Sequence, residues 1–125
     1  MNVDLAKLRS ATNDRRVHQV ISALEVQPLL RLPELAVMVA LSPSRLRSVF
    51  KRETDACIKL CSLEIRLQHA ERLLLTTCRS IKEIRNEVGI PDGPNFVRYF
   101  KKRFLKTPSA YRVASGSRFD EQTVD

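Results

Sequence analysis

Apolar residues recur along this chain at helical spacing, and short breaks marked by proline or capping residues separate the runs. Val17, Val20, Ile21 and Leu24 stand at i, i+3, i+4 and i+7, which gives one apolar face to a helix over residues 14–26. Asn13 or Asp14 can cap its start and Pro28 follows its end. His18 falls off the stripe and is expected on the surface. Residues 32–41, LPELAVMVAL, place Pro33 in the first turn of a second helix. Its inner stripe is expected to be Leu35, Ala36, Val39 and Ala40. Ser42 then offers an N-cap and Pro43 a first helical residue. On the helix that follows, Leu46, Val49, Phe50 and Glu53 share one side, and Ser44, Arg47, Ser48 and Lys51 share the opposite one. Two short helices meeting at a turn of a few residues, near Leu41 and Ser42, make a helix-turn-helix.

Residues 58–77 predict a longer helix, with Leu60, Leu63, Leu67, Ala70 and Leu74 as its stripe and with Glu64 and Gln68 facing away. Roughly twenty residues at about 1.5 Å each make a rod of roughly 30 Å. Ser80 followed by Glu83 is a capping box, and Ile81, Ile84 and Val88 form the next stripe. In PDGPNFVRYFKKRF, Phe96, Tyr99, Phe100 and Phe104 are expected inward, and Pro94, Val97, Arg98 and Lys101 outward. Pro108 opens a last short helix. Residues 114–125 show no periodicity and are expected to be a disordered tail.

The pattern repeats. Leu35, Val39, Ala40 and Leu41 align with Ile84, Val88, Gly89 and Ile90 at an offset of 49. Beyond the turn, Leu46, Val49, Phe50 and Lys51 align with Phe96, Tyr99, Phe100 and Lys101 at an offset of 50. What recurs is a whole helix-turn-helix unit, with a basic residue after each aromatic anchor. Small residues at Ala36 and Ala40 suggest a close crossing of the first pair of helices. In the second copy Gly89 keeps one small position, but Arg85 occupies the other and must reach outward. A rod near the length of one DNA turn (roughly 34–36 Å) between two such units points to two recognition helices in successive major grooves. The layout expected is a lead-in or linker at 1–12, a first lobe at 13–57, a linker helix at 58–77, a second lobe at 78–113 and the tail.

Charge agrees with that direction. The chain carries +8, and residues 114–125, with one basic and three acidic residues, contribute −2, so residues 1–113 hold +10. Such a bias favours a polyanionic partner. Residues 95–112 hold Arg98, Lys101, Lys102, Arg103, Lys106 and Arg112 and no acid. No apolar run is long enough to span a bilayer, and no signal-peptide core opens the chain, so a cytoplasmic location is expected. Cys57, Cys61 and Cys78 are an odd set without a CxxC pair, and plain reduced thiols are expected. No metal site and no cofactor is expected. Neither His18 nor His69 has a nucleophile or carboxylate partner in the pattern, and no Gly-rich phosphate loop exists, which argues against an enzyme.

The segments LAVMVALSPSRLRSVFKRET, RLQHAERLLLTT, SIKEIRNEVGI and FVRYFKKRFLKTPSAYR resemble the DNA-binding domain of the AraC/XylS family of bacterial transcription regulators, from about Asn13 to Arg112. The resemblance implies an all-α, seven-helix, two-lobed domain with a central linker helix, and a regulator that is most often an activator. It implies base-facing positions at Ser44, Arg45, Arg47 and Ser48 and at Gly93, Pro94, Asn95, Val97 and Arg98. Arg47 and Arg98 suit a bidentate contact to guanine and Asn95 a contact to adenine. Lys51, Lys101 and Lys102, with Ser42 and Pro94, are expected against phosphate. The implied partners are double-stranded DNA and RNA polymerase. Most members also carry an N-terminal effector or dimerisation domain, for which 125 residues leave no room. The chain therefore resembles either the small stand-alone members, which bind DNA as monomers, or the C-terminal piece of a longer regulator whose effector or dimerisation domain is missing here.

Some positions depart from the family pattern. Asp55 and Leu105 stand where glycine is usual, Cys61 and Ile90 where an aromatic is usual, and Arg85 where a small residue is usual. Gly93 and Pro94 replace polar residues at the start of the second recognition helix, so that helix offers few hydrogen-bonding side chains. The rival readings are a protein-interaction adapter and a non-specific DNA binder that keep the fold without reading sequence. The charge on residues 1–113 opposes the first of these.

Overall fold

The computed structural model describes residues 5–115, and these form eight α-helices with no strand among them. The helix beyond the expected seven is α1 (Leu5–Ser10), inside the segment read as a lead-in. It has too few turns to show a periodic stripe. It is held by burial of Leu8 and by the pairing of Arg9 with Glu25, because so short a helix depends on tertiary contacts. The other helices are α2 (Arg15–Val26), α3 (Leu32–Met38), α4 (Pro43–Thr54), α5 (Ile58–Thr76), α6 (Ile81–Glu87), α7 (Gly93–Phe104) and α8 (Pro108–Ala114). Ala114 therefore ends a helix, and the remainder of the tail, from residue 116, lies outside the described residues. The chain divides into two compact units, one through Ile65 and one from Arg66, so the boundary falls inside α5.

In the first unit, α2 packs against α1, α3 and α4. The predicted stripe of Val17, Val20, Ile21 and Leu24 is fully buried and meets Leu35, Leu46, Val49 and Phe50 in one core. Asp14 caps α2 by accepting from the Arg16 backbone N–H at 2.8 Å. The Arg16 guanidinium beside it holds the Asp14 carboxyl at about 2, against 3.8 ordinarily. His18 is not a free surface residue: it is half-buried, with Nε2 2.7 Å from the Thr12 carbonyl oxygen. The Thr12 hydroxyl in turn donates to Glu53 at 2.6 Å, which explains why Glu53 lies on the inner side of α4.

The expected stripe of α5 holds at Leu67, Ala70 and Leu74, which are buried, and shifts to other positions in the N-terminal part of the helix. Ile58, Cys61 and Ile65 enter the first core, while Leu60 and Leu63 are only half-buried. Glu64, expected to face away, is 4% exposed. Burial pushes the Cys61 thiol up to about 12, so it is an inert thiol inside the core. Cys57 and Cys78 are exposed.

In the second unit, Leu67, Ala70 and Leu74 of α5 are buried with Ile84, Val88, Phe96 and Phe100. The aromatic side chains of α7 and α8 meet one another. Phe100 lies 5.9 Å from Phe96, 4.6 Å from Phe104 and 5.5 Å edge-on from Tyr111, centroid to centroid. Tyr99 and Phe104 are half-buried rather than fully inward. Thr107 caps α8 by accepting from the Ala110 N–H at 3.3 Å. The Tyr111 hydroxyl donates to Glu71. Arg112, part of the acid-free basic run over residues 95–112, is 6% exposed. Its guanidinium donates to the carbonyls of Leu74 (3.0 Å) and Thr77 (3.2 Å). Those oxygens end α5 and have no partner within the helix. The Thr-Pro-Ser-Ala-Tyr-Arg segment is thus a structural clasp.

Candidate nucleic-acid interface

Both helix-turn-helix turns are built by the same backbone device. After α3, the Leu41 N–H donates to the Ala36 carbonyl at 3.0 Å and the Ala40 N–H to that of Val37 at 3.1 Å. After α6, Ile90 donates to Arg85 at 2.9 Å and Gly89 to Asn86 at 3.2 Å. Each pair is a Schellman motif, which needs a residue with positive φ just past the helix. Ala40 (φ 58°) and Gly89 (φ 78°) fill that place. The alignment of these two small residues was sound, but its reason was not a close helix crossing. Ala40 is exposed and lies in the turn rather than on the inner stripe. Leu41 and Ile90, one residue on, turn back toward their cores, half-buried and buried respectively.

The turn then delivers a capped helix. Ser42 accepts from the Arg45 N–H at 3.1 Å, and Asp92 accepts from the Asn95 N–H at 3.1 Å. Capping fixes the first turn of α4 and of α7 and so the direction in which each exposed face points. On α4, Leu46, Val49 and Phe50 are fully buried, and Ser44, Arg45, Arg47, Ser48 and Lys51 are all exposed with Ser42 at their head. The side chains of Arg45 and Arg47 make no hydrogen bond or ion pair among the described residues. Lys51 reaches only the Asp55 carboxylate, at 3.8 Å, and the Asp55 carbonyl, at 3.4 Å.

On α7, Pro94, Val97, Arg98, Lys101 and Lys102 are exposed and Asn95 is half-buried. Here two expected reading residues are already joined. Arg98 Nη2 donates to Asn95 Oδ1 at 2.6 Å, and the Arg98 guanidinium lies 5.4 Å from the Tyr99 ring centroid. The Asn95 oxygen keeps a second lone pair and its amide NH2 keeps its donors, so the pair can act as one unit on a base. Basic residues fill the last turns of both helices, Lys51 and Arg52 in α4 and Lys101 to Arg103 in α7, where they suit the negative end of the helix dipole.

One residue at this surface has no role in the sequence reading. Arg85 of α6 reaches outward, as its length requires, and ends at the start of α7. Nη1 donates to the Pro91 carbonyl at 2.6 Å. The only hint in the sequence is the coincidence of a large residue at 85 with a glycine at 93.

A fold made of two helix-turn-helix units, each with an exposed basic face on its second helix, is that of a DNA-binding regulator domain. Residues 35–114 match a family described as "Helix-turn-helix domain", and the chain belongs to that family, in its AraC/XylS branch. Curated relatives include the Msm operon regulatory protein of Streptococcus mutans, 37% identical over 83 residues, covering 66% of this chain and 30% of that protein. The HTH-type transcriptional regulator GlxA of Rhizobium meliloti is 33% identical over 112 residues, covering 87% of this chain and 34% of the relative. The chain thus spans about a third of the length of these relatives. Among solved structures, the C-terminal domain of the response regulator AraT of Geobacillus stearothermophilus superposes with a TM-score of 0.72. It is 27% identical and covers 81% of this chain and 86% of its own. The C-terminal domain of the response regulator yesN of Fusobacterium nucleatum gives 0.65 at 30% identity, over 77% of this chain and 93% of its own.

Proposed function

We propose that this chain is the sequence-specific, double-stranded DNA-binding part of a transcription regulator, and that the regulator is an activator. The observation that carries the reading is the repeated turn: two Schellman motifs, each followed by a capped helix with an exposed basic face. In this reading Arg47 and the Asn95–Arg98 pair contact base edges in successive major grooves, with Ser44, Arg45, Ser48 and Val97 beside them. Val97, an exposed apolar side chain on the reading face of α7, suits the methyl group of thymine. Lys51, Lys101 and Lys102 contact phosphate, with Ser42 and Pro94 at the two helix starts. The regulator works in the cytoplasm, touches RNA polymerase and takes its signal through an N-terminal effector or dimerisation domain. Among the described residues no helix is long and apolar enough to cross a membrane.

Selection from a random duplex library, followed by a salt titration on the winning site, tests this. Two short enriched blocks are expected. Lys101→Ala should weaken binding to every sequence and lower the slope of log K against log salt by about one. Binding that enriches no sequence while depending steeply on salt would mean a non-specific binder.

A further inference from the structure

Gly93, Val97 and Lys101 follow one another at intervals of four along α7 and therefore share its outward face. The face begins with a residue that has no side chain and continues through Pro94, which has no polar group. The position is not empty. A Cβ built on Gly93 would lie 3.5 Å from Arg85 Cζ and 3.7 Å from Arg85 Nε and Nη1. The Arg85 guanidinium therefore lies against the start of α7, in ordinary van der Waals reach of the place a Cβ of residue 93 would take. It is held there by its bond to the Pro91 carbonyl. No acid pairs with it among the described residues, and its other N–H donors are unspent.

We propose that Arg85 is a base-reading residue of the second helix-turn-helix, supplying from α6 the polar group that Gly93 lacks. The assignment rests on the DNA-binding reading above. The remaining donors of the guanidinium can present a pair of parallel N–H groups, which match O6 and N7 of guanine. The bond to Pro91 restricts the side chain before DNA arrives, so less rotamer freedom is lost on binding. The second recognition face is then richer in donors than α7 by itself suggests.

The test compares duplex selection and binding for the unaltered chain, Arg85→Ala and Arg85→Lys, with thermal unfolding followed alongside. Both variants should lose preference at one base pair of one block and keep the other block intact. Affinity for the originally selected site should fall roughly tenfold. Lysine keeps the charge and much of the bulk but not the fork, so it separates base reading from charge and guards against a variant that merely unfolds. Three results would overturn the proposal: a uniform fall in affinity with all base preferences kept, which marks a phosphate contact; unchanged binding, which leaves only the turn-bracing bond to Pro91; or Arg85→Lys retaining full preference. If the unaltered chain enriches no sequence, the functional reading fails together with this assignment. If it enriches two blocks and both variants match it, only this assignment fails.

Discussion

The two helix-turn-helix units share a backbone and differ in how they hold and use it. In the first, the anchor Phe50 is fully buried among aliphatic side chains, and α4 carries separate exposed side chains, Arg45 and Arg47 among them, that engage nothing. In the second, Phe100 sits in a cluster of four aromatic rings, and polar groups at the start of α7 are tied: Arg98 to Asn95, and Arg85 to Pro91. In the proposed reading, one copy presents side chains that make no hydrogen bond or ion pair beforehand, and the other presents side chains already hydrogen-bonded within the domain. A repeat that conserves the turn is therefore free to diverge in the chemistry the turn presents.

The largest effect that can break this comparison is on the anchors. Phe50→Ala and Phe100→Ala should each cost roughly 3–5 kcal/mol of stability, measured by denaturant unfolding. Phe100→Leu should cost more than Phe50→Leu, since edge and offset ring contacts add to area burial. Equal costs would remove the distinction between the two cores.

Next in size is base reading. Arg47→Ala should lose about 1–3 kcal/mol of discrimination at one base position, read from competition between the selected site and its single-base variants. If all sequences weaken equally, Arg47 is a backbone contact and α4 is no freer a reader than α7.

A pH scan sharpens the comparison further. The folded state holds the Asp14 carboxyl at about 2 against 3.8 ordinarily. The stability it contributes is therefore full above about pH 4 and is lost as pH falls toward 2. About 1–2 kcal/mol is at stake. Asp14→Asn keeps a capping oxygen but does not titrate, so it should flatten acid unfolding in that window. In the second unit the Ser80 cap of α6 is a capping box, and hydrogen bonds with Ser80 hold the Glu83 carboxyl below its ordinary range.

The smallest expected effect concerns the ends of the recognition helices. Asp55 (φ 58°) and Leu105 (φ 72°) both sit in the left-handed region at the ends of α4 and α7. Leucine pays more for that conformation than aspartate does. Leu105, 81% exposed, loses little burial if replaced. Leu105→Gly should raise stability by about 1 kcal/mol and Asp55→Gly by less, as a thermal melt would report.

The helices, their caps and the repeat were legible because each rests on local spacing. Pro33, Ser42 with Pro43, Ser80 with Glu83 and Pro108 stand in the places in their helices that the pattern assigned them. The exposed faces of α4 and α7 followed from the period alone. What the pattern misread were residues whose place depends on a distant neighbour. Glu64 and Arg112 are charged and buried; the pattern set Glu64 facing away because polarity was its only guide, and it gave Arg112 no structural place. His18 was misplaced in the same way, since its neighbour is the Thr12 carbonyl, outside α2. The helix α1 left no stripe to find.

By itself, then, the sequence determined the number of periodic helices, the helix-turn-helix repeat and the basic character of two exposed faces, since all of these are set by side-chain order and charge. Only the tertiary structure decided that Ala40 and Gly89 match because both must take positive φ, and that Arg112 closes the end of α5. It alone brought the guanidinium of Arg85 beside Gly93. Backbone torsion and cross-helix reach are properties of chain segments packed together, and no periodicity along the chain records them.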